Sequence, residues 1–211
     1  MKKYVLLTLA LALAGSTVAV AGVHEVGGSR TTNNTIPFWG IYAQMRWQII
    51  WKQSEINEPG AVTKIEWQKW TNSGKAATFN NCKILLCHTS LSTITSNYAN
   101  NYSGKTPVVV FSGTFKLPPL APNQWWTVVD PTNFTFNNKD NLLIEVVWVG
   151  ASGSANAMWQ SLSGQSGWVF SIEPNPTTGK VIANRGQIAR ITIGPSGVAP
   201  TSLGRVKSMF R

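Results

Sequence analysis

Between residues 41 and 52 the chain alternates. Ile41, Ala43, Met45, Trp47, Ile49 and Trp51 fall on one side, with Tyr42, Gln44, Arg46, Gln48 and Lys52 on the other and Ile50 as the exception. A period of two over this length describes a half-buried strand, bent or bulged midway. Further strands are expected at 62–70, 82–88, 108–111, 125–129, around Phe134 and Phe136, and at 142–149, where only Glu145 interrupts an apolar run. Segments 157–161, 168–173 and 187–193 bring the count to nine or ten. Between them lie Gly, Pro and Asn turns, and Pro118, Pro119 and Pro122 rule out a central strand at 116–123. Residues 89–105 read as a long polar connection. No segment after the N-terminal stretch has a helical period. Many short strands without helices mean an all-β sandwich or barrel.

The N-terminal stretch is of another kind. Lys2 and Lys3 precede an apolar run over 4–14, followed by small residues ending Ala19-Val20-Ala21. This is the charged, apolar and A-x-A order of a secretory signal, and the run is too short to cross ~30 Å of hydrocarbon comfortably. Cleavage is expected after Ala21, so the membrane is met only during export. The layout expected is a signal peptide at 1–21, an extended or loose lead-in at 22–36 and a sandwich domain at 37–194. A linker and short basic tail follow at 195–211, with Arg205, Lys207 and Arg211. The tail reads either as a sorting or retention signal or as a frayed terminus, since Leu203, Val206 and Phe210 share a helical face.

Only 12% of residues are charged, ten are Trp, and the formal net charge is +10. Asn, Thr, Ser and Gly fill the polar positions, as in secreted sandwiches that face glycans or pack on one another. A basic surface attracts acidic polysaccharide, anionic headgroups or nucleic acid. The basic residues are scattered singly, however, and no nucleic-acid motif accompanies them, so no specific nucleic-acid partner is expected. Cys82 and Cys87 lie five steps apart on one expected strand, on opposite faces and roughly 16 Å apart, too far to pair with each other. They are two buried thiols, or one faces outward and bridges to another chain.

The residues for catalysis are sparse. Eight carboxylates are present, and glycoside hydrolysis needs two of them about 5–10 Å apart in a cleft. Glu145 is the best placed for burial and reads as a structural residue bonded to Arg46 or Arg190. His24 and His88 are the only histidines. Neither completes a Ser–His pair, and Cys82, Cys87 and His88 do not converge as zinc ligands. The Asn137–Asn141 loop has calcium-type oxygens, but Asn and Asp also build turns, and Lys139 favours the turn. No cofactor or metal is expected. Seven of the ten Trp are assigned to the core. In the pair Trp125-Trp126 one ring should be buried and the other exposed. Trp126, Trp159 and Trp168 are taken as candidate platforms for stacking on sugar rings.

Several segments resemble a secreted jelly-roll domain of bacterial surface and adhesin-like proteins. The run Trp47-Gln48-Ile49-Ile50-Trp51 through Gly60-Ala61-Val62-Thr63-Lys64-Ile65 is similar to its first hairpin, and Lys83-Ile84-Leu85-Leu86-Cys87-His88-Thr89 to its next strand. Val110-Phe111-Ser112-Gly113-Thr114 and Trp126-Thr127-Val128-Val129 follow. The sharpest segment is Phe134-Thr135-Phe136-Asn137-Asn138-Lys139-Asp140-Asn141-Leu142-Leu143-Ile144-Glu145-Val146. The resemblance implies an all-β, jelly-roll-like two-sheet sandwich and supplies no functional residues. The expected function is that of a non-catalytic secreted or cell-surface structural or adhesive protein. Its expected partners are envelope or extracellular polysaccharide, or copies of itself. The alternative is a carbohydrate-binding module using the exposed Trp, and an enzyme is the third reading.

Overall fold

The computed structural model describes residues 21–71, 74–129, 132–153 and 157–194. The N-terminal segment up to residue 20, read above as a signal, and Asp130 and the basic tail lie outside the described residues. The chain forms two antiparallel sheets packed face to face, an all-β sandwich. The smaller sheet runs β1 (Gly22–Val26), β13 (Ala189–Gly194), β4 (Gly60–Gln68), β7 (Trp125–Val129), with β8 (Thr135–Phe136) also on β4. The larger runs β10 (Ala151–Gly153), β5 (Ala77–Thr89), β9 (Asn141–Val149), β3 (Gln44–Trp51), β11 (Met158–Ser171), β12 (Lys180–Gln187). Here β2 (Thr32–Asn34) also pairs with β11, and β6 (Val108–Leu117) with β5. One helical turn, α1 (Gln53–Ile56), follows β3.

The alternation in β3 places Met45, Trp47, Ile49 and Trp51 in the core between the sheets. Strand β9 adds Leu142, Ile144, Val146 and Trp148 to the same layer, and β4 adds Val62, Ile65 and Trp67. Phe38 stacks on Phe115 at 4.8 Å and meets Trp67, Phe79 and Trp126 at angled contacts of 5.1–5.5 Å, the offset and edge geometries that aromatic quadrupoles favour. Two core indoles reach backbone carbonyls, Trp51 to Gln187 at 3.0 Å and Trp148 to Pro37 at 2.8 Å.

Three expectations are refined. The lead-in is extended and carries strands of its own: β1 pairs residue for residue with β13, β2 pairs with β11, and Val26 and Ile36 are core residues. Short polar strands at sheet edges lack the alternation that marks a strand in sequence. The two segments expected at 157–161 and 168–173 belong to one strand, β11, carried across register shifts between Ser161 and Trp168. Lastly, the polar connection after β5 is not a surface loop throughout. It lays Ile94 and Tyr98 over Ile50, Cys87, Leu143 and Val169, a second small core on the outside of the larger sheet.

Candidate functional site

Of the three candidate platforms, two are core residues. Trp126 is 6% exposed and packs edge-on against Trp67 at 5.7 Å, and Trp168 is 2% exposed and lies 5.4 Å from Phe170. Neither presents a free ring face to a sugar. The pairing of β7 explains Trp126. Its inward residues are Trp126 and Val128, so Trp125 and Thr127 point out. The outward member of the Trp125-Trp126 pair is therefore Trp125. Thr127, two residues on, is the polar signal that assigns it. Trp159 is half-buried, as are Trp39, Trp70 and Trp125, while the other six Trp are buried.

Three of these four half-buried tryptophans belong to one connected surface. Arg190 of β13 reaches across β4 and sets its guanidinium over the Trp125 ring at 4.1 Å, with Arg30 at 5.6 Å. Glu25 of β1 holds both cations, Arg30 at 2.6 Å and Arg190 at 3.8 Å. Arg30 Nε also donates to Gln68 Oε1, and Gln68 Nε2 donates to the Asn123 carbonyl at 3.0 Å. Asn123, in the left-handed region at φ +60°, turns its side-chain oxygen to Trp159 Nε1 at 2.9 Å. Trp159 in turn meets Trp70 edge-on at 6.5 Å. Beneath this surface Lys69 is fully buried, and its ammonium donates to the Ala157 carbonyl at 3.1 Å. Burial lowers its pKa. Two guanidinium groups against one carboxylate leave the cluster positive. Planar rings and forked donors together suit an anionic, ring-bearing ligand.

A second polar cluster lies outside the larger sheet, on Glu145 of β9. Its carboxylate is 2% exposed and takes Arg46 Nε at 2.8 Å, Arg46 Nη2 at 3.4 Å, Gln48 Nε2 and the Tyr102 hydroxyl. Asn101 donates to Gln48 Oε1 at 2.9 Å, and Tyr98 donates to the Arg46 carbonyl at 3.0 Å. Burial works against the Arg46 charge, but Glu145 and Tyr102 outweigh it and raise the pKa. Burial, with the Glu145 charge beside it, holds the Tyr102 phenol well above its ordinary range. With four donors on one carboxylate, Glu145 is a structural anchor bonded to Arg46. Beside it a groove of about 280 Å³ runs between Gln44, Arg46, Val147, Val149 and the Glu173–Pro176 loop.

The remaining candidates are engaged singly. Cys82 lies in the main core and Cys87 in the small outer one, both buried and unpaired. Burial pushes their thiols up to about 12 and about 11. Neither faces outward, which removes the intermolecular bridge. His88 meets Phe134 at a tilted contact of 4.7 Å, and its Nε2 accepts the Asn137 N–H at 3.1 Å. Burial lowers its pKa, with Asp140 opposing. In the Asn137–Asn141 loop, Asn137 Oδ1 accepts the N–H groups of Lys139 and Asp140 at 2.9 and 3.0 Å. Asn138 sits at φ +52°, and Asp140 pairs with Lys105 at 2.6 Å. The loop oxygens thus serve a turn. Among the described residues no group of three His, Cys, Asp or Glu side chains converges.

Comparison with protein-family models, curated proteins and solved structures found no match. The reading of this site therefore rests on its own chemistry.

Proposed function

We propose that the protein is a non-catalytic adhesive module of the cell exterior, a jelly-roll-like sandwich exported by its N-terminal signal. It holds acidic polysaccharide at the surface built on Trp125. One observation carries this reading: Trp70, Trp125 and Trp159 are joined to Arg30 and Arg190 through Gln68 and Asn123. The guanidinium groups recognise carboxylate or sulfate in a fork, and the indoles take the C–H faces of sugar rings. In this reading Trp125 and Trp159 are the stacking residues, and the buried Trp126 and Trp168 are core residues that do not stack on sugar.

The test is titration with a polyuronate and with a neutral glucan, read by tryptophan fluorescence. The polyuronate should bind more tightly and weaken as salt rises. Trp125→Ala should cost roughly thirtyfold in affinity, the weight of one aromatic anchor. Equal binding of both polymers, or an unchanged Trp125→Ala variant, would overturn the reading.

Self-association is the second reading, favoured by Val109 and Val149. These are 46% and 50% exposed on strands β6 and β9 of the larger sheet. Light scattering on the processed chain separates the two: an assembly that survives polysaccharide binding supports contact between copies.

A further inference from the structure

Strand β1 begins at Gly22, immediately after the expected cleavage position, and Ala21 before it is exposed and outside the strand. A Cβ placed on Gly22 would stand 1.9 Å from Glu58 Oε2 and 2.8 Å from His24 Nε2. Across a carbon–carbon bond of ~1.5 Å, the carboxylate oxygen is thus no more than about 3.4 Å from the Gly22 Cα, and within a few ångströms of its nitrogen. A side chain at position 22 would have to displace this carboxylate. Glu58 lies between α1 and β4, and His24 Nε2 lies 2.7 Å from its Oε2.

We propose that Glu58 is a receptor for the α-ammonium group made by export processing, so that cleavage itself latches β1 onto the sandwich. A signal-peptidase-type endopeptidase adds water across the Ala21–Gly22 peptide bond. The C–N bond breaks, Ala21 leaves as a carboxylate, and the Gly22 nitrogen takes a proton and becomes an ammonium. One neutral amide donor becomes a cation with three donors, facing a carboxylate already in place. The strand that gains this contact needs it. Among the described strands β1 is an edge strand whose ladder pairs with β13 alone, its Val23 is 60% exposed, and its far end is tied by the Gly27 N–H to Glu55 Oε1 at 3.0 Å. Glu55 and Glu58 then fasten the two ends of the strand; Glu58 already meets His24 of β1, and the contact with the ammonium is added only in the processed chain.

The inference rests on the reading that the chain is exported and cut after Ala21, and the two fail separately. Mass spectrometry of the exported protein tests the cut: an N-terminus other than Gly22 overturns that reading and removes the latch from the cell. The latch itself is tested with a chain beginning at Gly22, released from a carrier by a protease that leaves no residue. A second form keeps residues 17–21, which carry the terminal charge about 16 Å farther along the chain. Both are also made with Glu58→Gln, which keeps a hydrogen-bonding side chain beside His24. Hydrogen exchange of the β1 amides is the readout. Extension should raise β1 opening roughly two- to fivefold in the Glu58 chain, the range of a partly exposed ion pair, and leave it unchanged in the Glu58→Gln chain. Equal sensitivity to extension in both backgrounds, or none in either, would overturn the latch.

Discussion

Glu145 shows what a buried carboxylate does once four donors converge on it. Arg46 supplies two of its four bonds and still reaches solvent, whereas Glu145 does not. The pair should therefore respond unequally to its two truncations. Arg46→Ala leaves a buried charge short of its cation and should cost about 2–4 kcal/mol. Glu145→Gln leaves a guanidinium that can turn outward and should cost less, about 1–2 kcal/mol. Urea unfolding of both variants measures the order, and the reverse order would contradict an anchoring role for Glu145. His88 sets a second expectation, one of sign. Burial holds its folded pKa below the unfolded value of about 6.5. As pH falls through 6.5 the unfolded chain takes up a proton before the folded one, so the folded state loses stability down to the folded pKa and no further. Above 6.5 both states are neutral and this contribution is flat. Replacing His88 by Gln should reduce the slope of stability against pH between about 7 and 5, as followed by thermal melts. The Asp140–Lys105 pair nearby works in the same direction at lower pH: the Lys105 contact holds the Asp140 pKa down, so its contribution fades as acid protonates it.

At the scale of elements, the connection between β5 and β6 does the least expected work. Tyr98 is fully buried although its loop is polar, and it closes the outer face of the larger sheet over Cys87 and Leu143. Tyr98→Ala should cost about 3–5 kcal/mol, the range for removing a buried aromatic ring. It should also open Cys87 to a thiol reagent while Cys82, inside the main core, stays protected. Labelling both thiols in the native state and mapping the modified peptide checks this, and equal labelling would mean that the whole sandwich had loosened. What was legible in the sequence follows from the same physics. β3 and β9 are half-buried or fully buried strands long enough to carry a pattern, and the Glu145–Arg46 pair follows from one charge in an apolar strand. β1 and β2 were not legible, because short polar edge strands are held by partners far along the chain and not by their own alternation. Trp125 was within reach, since Thr127 marks the outward face of β7. Arg30 and Arg190 were not, because they are about 160 residues apart in sequence and only the β1–β13–β4 order brings both to one ring.

That order is the organising fact of the whole molecule. Among the described residues the first strand pairs with the last, and β13 sits between β1 and β4 in the smaller sheet. The Trp125 surface draws Glu25 from β1, Arg190 from β13 and Trp125 from β7, so it exists only when β1 and β13 have closed the sheet. If this surface is the proposed polysaccharide site, binding there requires the completed smaller sheet, and no half-formed basic patch precedes it. Removing residues 22–26 should expose both consequences. β13 would become an open edge, with Ile191 and Ile193 beneath it and its unpaired N–H and C=O groups available to another chain. Arg30 and Arg190 would lose the carboxylate between them. The shortened protein should form soluble oligomers or aggregates on a sizing column where the processed chain does not, and its polyuronate binding should become weaker and less specific. A shortened chain that stayed monomeric with unchanged binding would show that β1 is an ornament on a sheet already complete without it.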